Sequence, residues 1–126
     1  MTEDGVKLQV LRDVCAAFDR HDLDAIMAHF VEDCVFEWPR GPEAYGNRVV
    51  GRETVRSAFA DRFAGIPDVR YTDDSHFVSG DRGVSEWLLT GTTTAGDRLE
   101  VRGCDIWTFR GDKIAVKNSF WKIRTT

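Results

Sequence analysis

One acid stands where acids are rare. If residues 98–110 form a strand, alternation puts Leu99, Val101, Gly103, Asp105, Trp107 and Phe109 on one face, with Arg98, Glu100, Arg102, Cys104, Ile106 and Thr108 on the other. The first row is apolar except for Asp105. A lone carboxylate among apolar neighbours is costly unless it is partnered or protonated, and either state equips it for general acid/base chemistry. Asp105 is therefore the expected catalytic residue.

Its expected companions come from the neighbouring strands. If the Ala95-Gly96-Asp97 turn sets the register, Glu86, Leu88, Thr90 and Thr92 share the face of Asp105, as do Lys117, Ser119 and Trp121 on the last strand. A carboxylate pair of Asp105 and Glu86 would separate into one acid and one base. Lys117 would neutralise either, or form an ion pair with Glu86 at the rim. Trp38, Trp107 and Trp121 would offer flat walls and indole N–H groups to a planar ligand. The expected substrate-binding set is thus Trp38, Glu86, Leu88, Trp107, Lys117, Ser119 and Trp121.

Other chemistries find less support. No HxxxH, CxxC or HxH spacing sets two ligands on one element, so no metal is expected. Gly51 precedes a helix without the repeated glycines or Lys of a phosphate loop, so neither a nucleotide nor any other cofactor is expected. Cys15, Cys34 and Cys104, odd in number and widely spaced, read as small buried hydrophobes rather than a disulfide framework.

The elements that must position these residues follow from periodicity. Val6, Val10, Leu11, Val14, Cys15 and Phe18 form the stripe of an amphipathic helix. Arg20-His21-Asp22 interrupts it, with Asp22 as cap of a short second helix carrying Leu23, Ile26, Met27 and Phe30. Cys34–Trp38 reads as a strand stopped by Pro39, followed by a loop over residues 40–46. A short extended Arg48-Val49-Val50 and Gly51 lead into a third helix with Val55, Ala58, Phe59 and Phe63 on one face, ended by Gly65 and Pro67. Residues 69–124 alternate and are rich in Val, Thr and aromatics, with turns at Ser79-Gly80-Asp81, Ala95-Gly96-Asp97 and Gly111-Asp112. That pattern predicts four long antiparallel strands, and hence an α+β domain with its helices over one face of a curved sheet.

Size and charge bound the rest. The 126 residues suit one domain, and 17 basic against 21 acidic side chains leave a net charge of −4, unsuited to a nucleic-acid backbone. Residues 1–126 are accordingly expected to form a single domain. No apolar run reaches the roughly 18 residues of a membrane span, and Met1–Gly5 carries acids rather than a basic leader, so a cytoplasmic protein without membrane contact is expected.

Three segments in order, DRHDLDAIMAHFVEDCVFEWP (Asp19 to Pro39), VVGRETVRSAF (Val49 to Phe59) and CDIWTFRGDKIAVKNSFW (Cys104 to Trp121), resemble the superfamily of nuclear transport factor two, ketosteroid isomerase, scytalone dehydratase and the SnoaL-like polyketide cyclases. The resemblance implies three N-terminal helices on a strongly curved, mostly antiparallel sheet forming a cone with an internal cavity. It also implies cofactor-free acid/base chemistry, as in cyclisation, isomerisation or dehydration, on a hydrophobic carbonyl compound. The alternative is a non-catalytic module that binds a hydrophobic small molecule. By that resemblance Asp105 falls where ketosteroid isomerases keep a protonated Asp that donates to an oxyanion and where related cyclases place an acid/base Asp. Trp38 stands where the isomerase has its base Asp, Val14 where it has its oxyanion Tyr, and Ser119 where an epoxide hydrolase has an Asp. Of the histidines, only His76 falls on a strand, whereas the dehydratase uses two in its cavity.

The opposite sheet face, expected to carry Trp87, Leu89, Cys104, Ile106, Val116, Asn118 and Phe120 with His76 on the same side, is too apolar to face water. A second copy is the simplest cover, so a homodimer through this face is expected.

Overall fold

The computed structural model describes residues 2–125. Its helices are α1 (Glu3–Asp19), α2 (Leu23–Met27) and α3 (Arg52–Gly65). The strands are β1 (Phe30–Glu37), β2 (Arg48–Val50), β3 (Arg70–Ser79), β4 (Arg82–Thr92), β5 (Arg98–Arg110) and β6 (Lys113–Trp121). They form one open sheet in the order β2-β1-β6-β5-β4-β3, antiparallel except where β1 runs parallel to β6. The α+β architecture with helices covering a curved, mostly antiparallel sheet is the one expected.

Local chemistry accounts for the helix boundaries. Thr2 caps α1 by accepting from Gly5 N at 3.0 Å, and the Asp22 carboxylate caps α2 by accepting from Ala25 N at 3.1 Å. α1 buries Leu11, Val14, Cys15 and Phe18 of the predicted stripe, with Ala17 beside them, while Val6 and Val10 are half-buried. The first strand begins at Phe30, four residues earlier than expected, because Ile114 N donates to His29 O at 2.8 Å and Phe30 aligns with Ile114. Pairing across the sheet overrides the helical spacing there.

The register of β4 reverses one expectation. Directly opposed residues of an antiparallel pair share a face, and Thr92 opposes Arg98 while Glu86 opposes Cys104 and Leu88 opposes Arg102. Glu86 and Leu88 therefore lie on the outer face, Glu86 exposed and Leu88 half-buried. The inner face carries Ser85, Trp87 and Leu89, opposite Asp105, Gly103 and Val101. His76, opposite Ser85, shares that inner face. The connection Thr93–Asp97 has five residues, and any odd-length connection puts the odd-numbered residues of β4 on the face of Asp105; Glu86 would share that face only with the register moved by one residue, which exchanges the two faces.

Two glycines permit the close approaches that shape the site. A Cβ on Gly103 would lie 2.5 Å from the Trp87 ring, so only glycine leaves room for that indole against β5. Gly46 has φ +80° and a Cβ there would lie 2.2 Å from Trp38 O, which fixes the loop after β1 against the backbone of Trp38. Trp38 N donates to Asn47 O at 2.8 Å across the base of that loop.

The helical layer is tied to β3 by polar contacts. Asp19, at the end of α1, accepts from Arg70 Nε at 2.7 Å, Arg70 Nη2 at 3.0 Å and Tyr71 N at 3.0 Å. His21 stacks on Phe63 of α3 with centroids 4.3 Å apart, and its Nε2 lies 2.7 Å from Val69 O. The Arg70 guanidinium holds the Asp19 carboxyl below its ordinary range. A lowered folded value means the contact stabilises above the unfolded value and is lost as acid protonates the group. D19N is expected to lower Tm at pH 7, with the gap from the parent closing below about pH 3.9 in thermal melts across pH.

Candidate functional site

Asp105 lies inside the cone, 3% exposed, near the middle of β5. Lys117 Nζ donates to its Oδ1 at 2.8 Å, Ser119 Oγ donates to the same oxygen, and Trp87 Nε1 donates to Oδ2 at 2.9 Å. Lys117 also donates to Ser119 Oγ at 2.7 Å, closing a three-membered ring of hydrogen bonds. A carboxylate offers about four acceptor sites, so these three donors leave one open, on Oδ2.

Lys117 and Ser119 reach Asp105 because all three occupy the same sheet face, with Ser119 directly opposite Asp105 and Lys117 opposite Trp107. The Lys117 ammonium also lies 4.9 to 5.7 Å from the ring centroids of Phe18, Phe36, Phe59 and Trp107. Facing aromatic rings offset part of the desolvation of a buried cation.

A cavity of about 20 Å³ adjoins this cluster, lined by Phe18, Phe36, Phe59, Tyr71, Lys117 and Ser119 among others. It holds roughly one water-sized body, so the interior is filled mainly by the protein's own side chains. Arg62, Pro39 and Trp121 bound it toward the mouth. Burial pushes the Tyr71 phenol up, and it stands on the cavity wall as a neutral hydroxyl. Tyr71 escaped the sequence reading; its inward place opposite Leu89, whose own face was misassigned, was its only signal.

The mouth is an arginine between two indoles. The Arg62 guanidinium lies 4.5 Å from the Trp121 ring centroid and 5.3 Å from that of Trp38. Its pKa is lowered by burial first, with Arg40 acting in the same direction. Outside it opens a groove of about 410 Å³ that includes Trp38, Arg40, Arg62, Leu99 and Trp121.

A second polar chain sits on the same inner face. Trp107 Nε1 donates to Ser85 Oγ at 2.9 Å, Ser85 Oγ lies 2.7 Å from His76 Nδ1, and His76 Nε2 lies 2.7 Å from Asp74 Oδ2. Burial pushes the neighbouring Cys15 thiol up to about 12, which keeps it a thiol. Cys15 and Cys34 are buried and Cys104 is half-buried on the outer face.

The residues expected around Asp105 therefore divide. Lys117 and Ser119 bond it directly, and Trp38 and Trp121 form the mouth. Trp107 is fully buried and serves as core beneath Lys117 rather than as cavity wall. Glu86 and Leu88 face outward and take no part, so of the expected pairings Asp105–Lys117 forms and those through Glu86 do not. Trp87, expected outside, is the inner indole that donates to Asp105.

A SnoaL-like domain family model matches residues 11–117, and the chain belongs to that family. No curated protein matches the sequence. Among solved structures, a candidate polyketide cyclase from Xanthomonas campestris pv. campestris superposes with a TM-score of 0.85 at 18% identity, covering 96% of this chain and 93% of its own. A candidate isomerase from Bacillus subtilis gives 0.80 at 21%, covering 97% and 90%. A Catenulispora acidiphila protein with a ketosteroid isomerase-like fold, in complex with trimethylamine, gives 0.76 at 20%, covering 90% and 85%. At these identities the likeness establishes the cone-shaped fold. Among the described residues no helix is long and apolar enough to cross a membrane.

Removing one member of the central pair strands the other. K117M is expected to cost roughly 3–5 kcal/mol in urea unfolding by leaving Asp105 uncompensated, and D105N in that background to recover most of it. Simple additivity of the two losses would show that the pair is not coupled.

Proposed function

We propose that this SnoaL-like domain is a cofactor-free enzyme that moves a proton beside the carbonyl of a hydrophobic small molecule. The observation that carries the reading is the buried Lys117–Ser119–Asp105 cluster, with Lys117 and Ser119 on the wall of the cavity and Asp105 behind them. Lys117 has three N–H donors and spends two of them on Asp105 and Ser119, so the third is available to a substrate carbonyl oxygen. That contact stabilises the negative charge that gathers on oxygen when the adjacent C–H bond breaks.

Ser119 Oγ takes the carbon's proton as its own passes to Asp105 Oδ1, and the reverse transfer delivers a proton to another carbon or to a departing hydroxyl. Returned to carbon the result is isomerisation, returned to hydroxyl it is dehydration, and attack of the enolate carbon on a second carbonyl closes a ring. Asp105 is thus the proton's resting place, while Lys117 and Ser119 are the groups that touch the substrate. Admission of a substrate requires Arg62 and Trp121 to swing outward, because the cavity beneath them is about 20 Å³.

The nearly saturated carboxylate favours a second reading, a binding module in which the cluster is structural and the ligand is held without turnover. Hydrogen–deuterium exchange at the α-carbon of 2-tetralone in D2O, followed by NMR, separates the two. Catalysis predicts exchange above the buffer rate, falling by about a hundredfold or more in D105N and S119A. Exchange at the buffer rate, or equal rates in parent and variants, leaves the binding reading.

The same proposal includes a homodimer through the outer sheet face. Phe77 and Phe120 are 58% and 47% exposed there, beside half-buried Val84, Cys104 and Ile106. F120E is expected to shift the protein from dimer to monomer in light scattering; a monomeric parent sinks the dimer. The three unpaired thiols suit a reducing compartment, and we take the cytoplasm as the setting.

A further inference from the structure

The mouth of the cone holds cationic donors that no acceptor among the described residues engages. Arg62 has no hydrogen-bond or carboxylate partner among the described residues, although it is half-buried between Trp38 and Trp121. Trp38 Nε1 is the buried side-chain polar atom without a hydrogen-bond partner among those residues. Arg40, in the loop held by Gly46, lines the same groove and likewise has no carboxylate partner among the described residues. The groove's acids, Asp61 and Asp97, make no ion pair with either arginine.

Unpaired cations in a partly desolvated site are costly, and the two indole faces offset that only in part. What satisfies such a set is an acceptor-rich anion. A guanidinium fork matches the flat carboxylate, and flat indoles on either side favour a ring attached to it. The groove volume of about 410 Å³ suits a bicyclic ligand.

We infer that the cone mouth is a recognition site for a planar aromatic carboxylate, gripped by Arg62 with Arg40 and flanked by the rings of Trp38 and Trp121. Engagement of Arg62 by the ligand draws the guanidinium off the cavity, so recognition and admission are one event. The inference rests on the proposed function only in treating the mouth as the route inward.

Isothermal titration with three probes of one shape and different charge tests it: 2-naphthoate, 2-naphthamide and 2-naphthylmethylammonium. The parent is expected to bind naphthoate at least about tenfold tighter than the amide, with the ammonium weakest. R62Q removes that preference while the amide affinity stays within about twofold, and R62K, a charge without the fork, retains part of it. Circular dichroism establishes that each variant is folded. Equal affinity for the three probes, no saturable binding of naphthoate, or an unchanged preference in R62Q overturns the inference. D105N separates the two proposals, since it abolishes proton exchange if the catalytic reading holds yet keeps the naphthoate preference if the mouth reading holds.

Discussion

Two opposite charges, Asp105 and Lys117, share the inside of an apolar cone, and the rest of the architecture is arranged around keeping them there. Each ion taken from water costs several kcal/mol, and their mutual attraction offsets that only when the geometry is good and the remaining hydrogen-bonding capacity is used. Here Ser119 bridges the pair, Trp87 takes the second carboxylate oxygen, and four aromatic rings face the ammonium. Every donor in this set comes from a strand, so the sheet register is what holds the cluster together.

That constraint passes outward through packing. Trp87 reaches Asp105 because residue 103 has no side chain, and Gly103 is therefore as much part of the site as the acid itself. Phe18 and Phe59 wall the ammonium from the helical side, which makes the seating of α1 and α3 on the sheet matter to the site. Asp19 with Arg70, and His21 with Phe63 and Val69, anchor that seating at the ends of the helices. The same anchors hold the last turn of α3, and with it Arg62, over the mouth.

Inside and mouth have opposite electrostatic characters. The interior cluster is nearly self-satisfied, with one acceptor site left on the carboxylate and one donor on the ammonium. At the mouth, the Arg62 guanidinium stands unengaged between two aromatic walls. Such a gradient suits a ligand whose charged end is caught outside while its apolar body is offered to the funnel, and it explains why a small cavity and a much larger groove adjoin across one arginine.

Much of this was legible in order along the chain. Helix stripes, the Asp22 cap, the breaks at Gly51 and Gly80, and the alternation of β5 and β6 are local, and local physics placed Asp105, Lys117, Ser119 and Trp121 on one face. The phase of β4 was not local. It depends on how five connecting residues close a hairpin, and a single step of phase put Glu86 and Leu88 where Ser85 and Trp87 belong. Arg62 gave no sign either, since an arginine in the last turn of a helix reads as a solvated charge until three separate segments bring two indoles to it. The amino-acid order by itself determined which faces exist and which carboxylate is buried; tertiary structure alone decided which side chains meet there, because pairing register and long-range packing are properties of strands and helices together, not of any one of them.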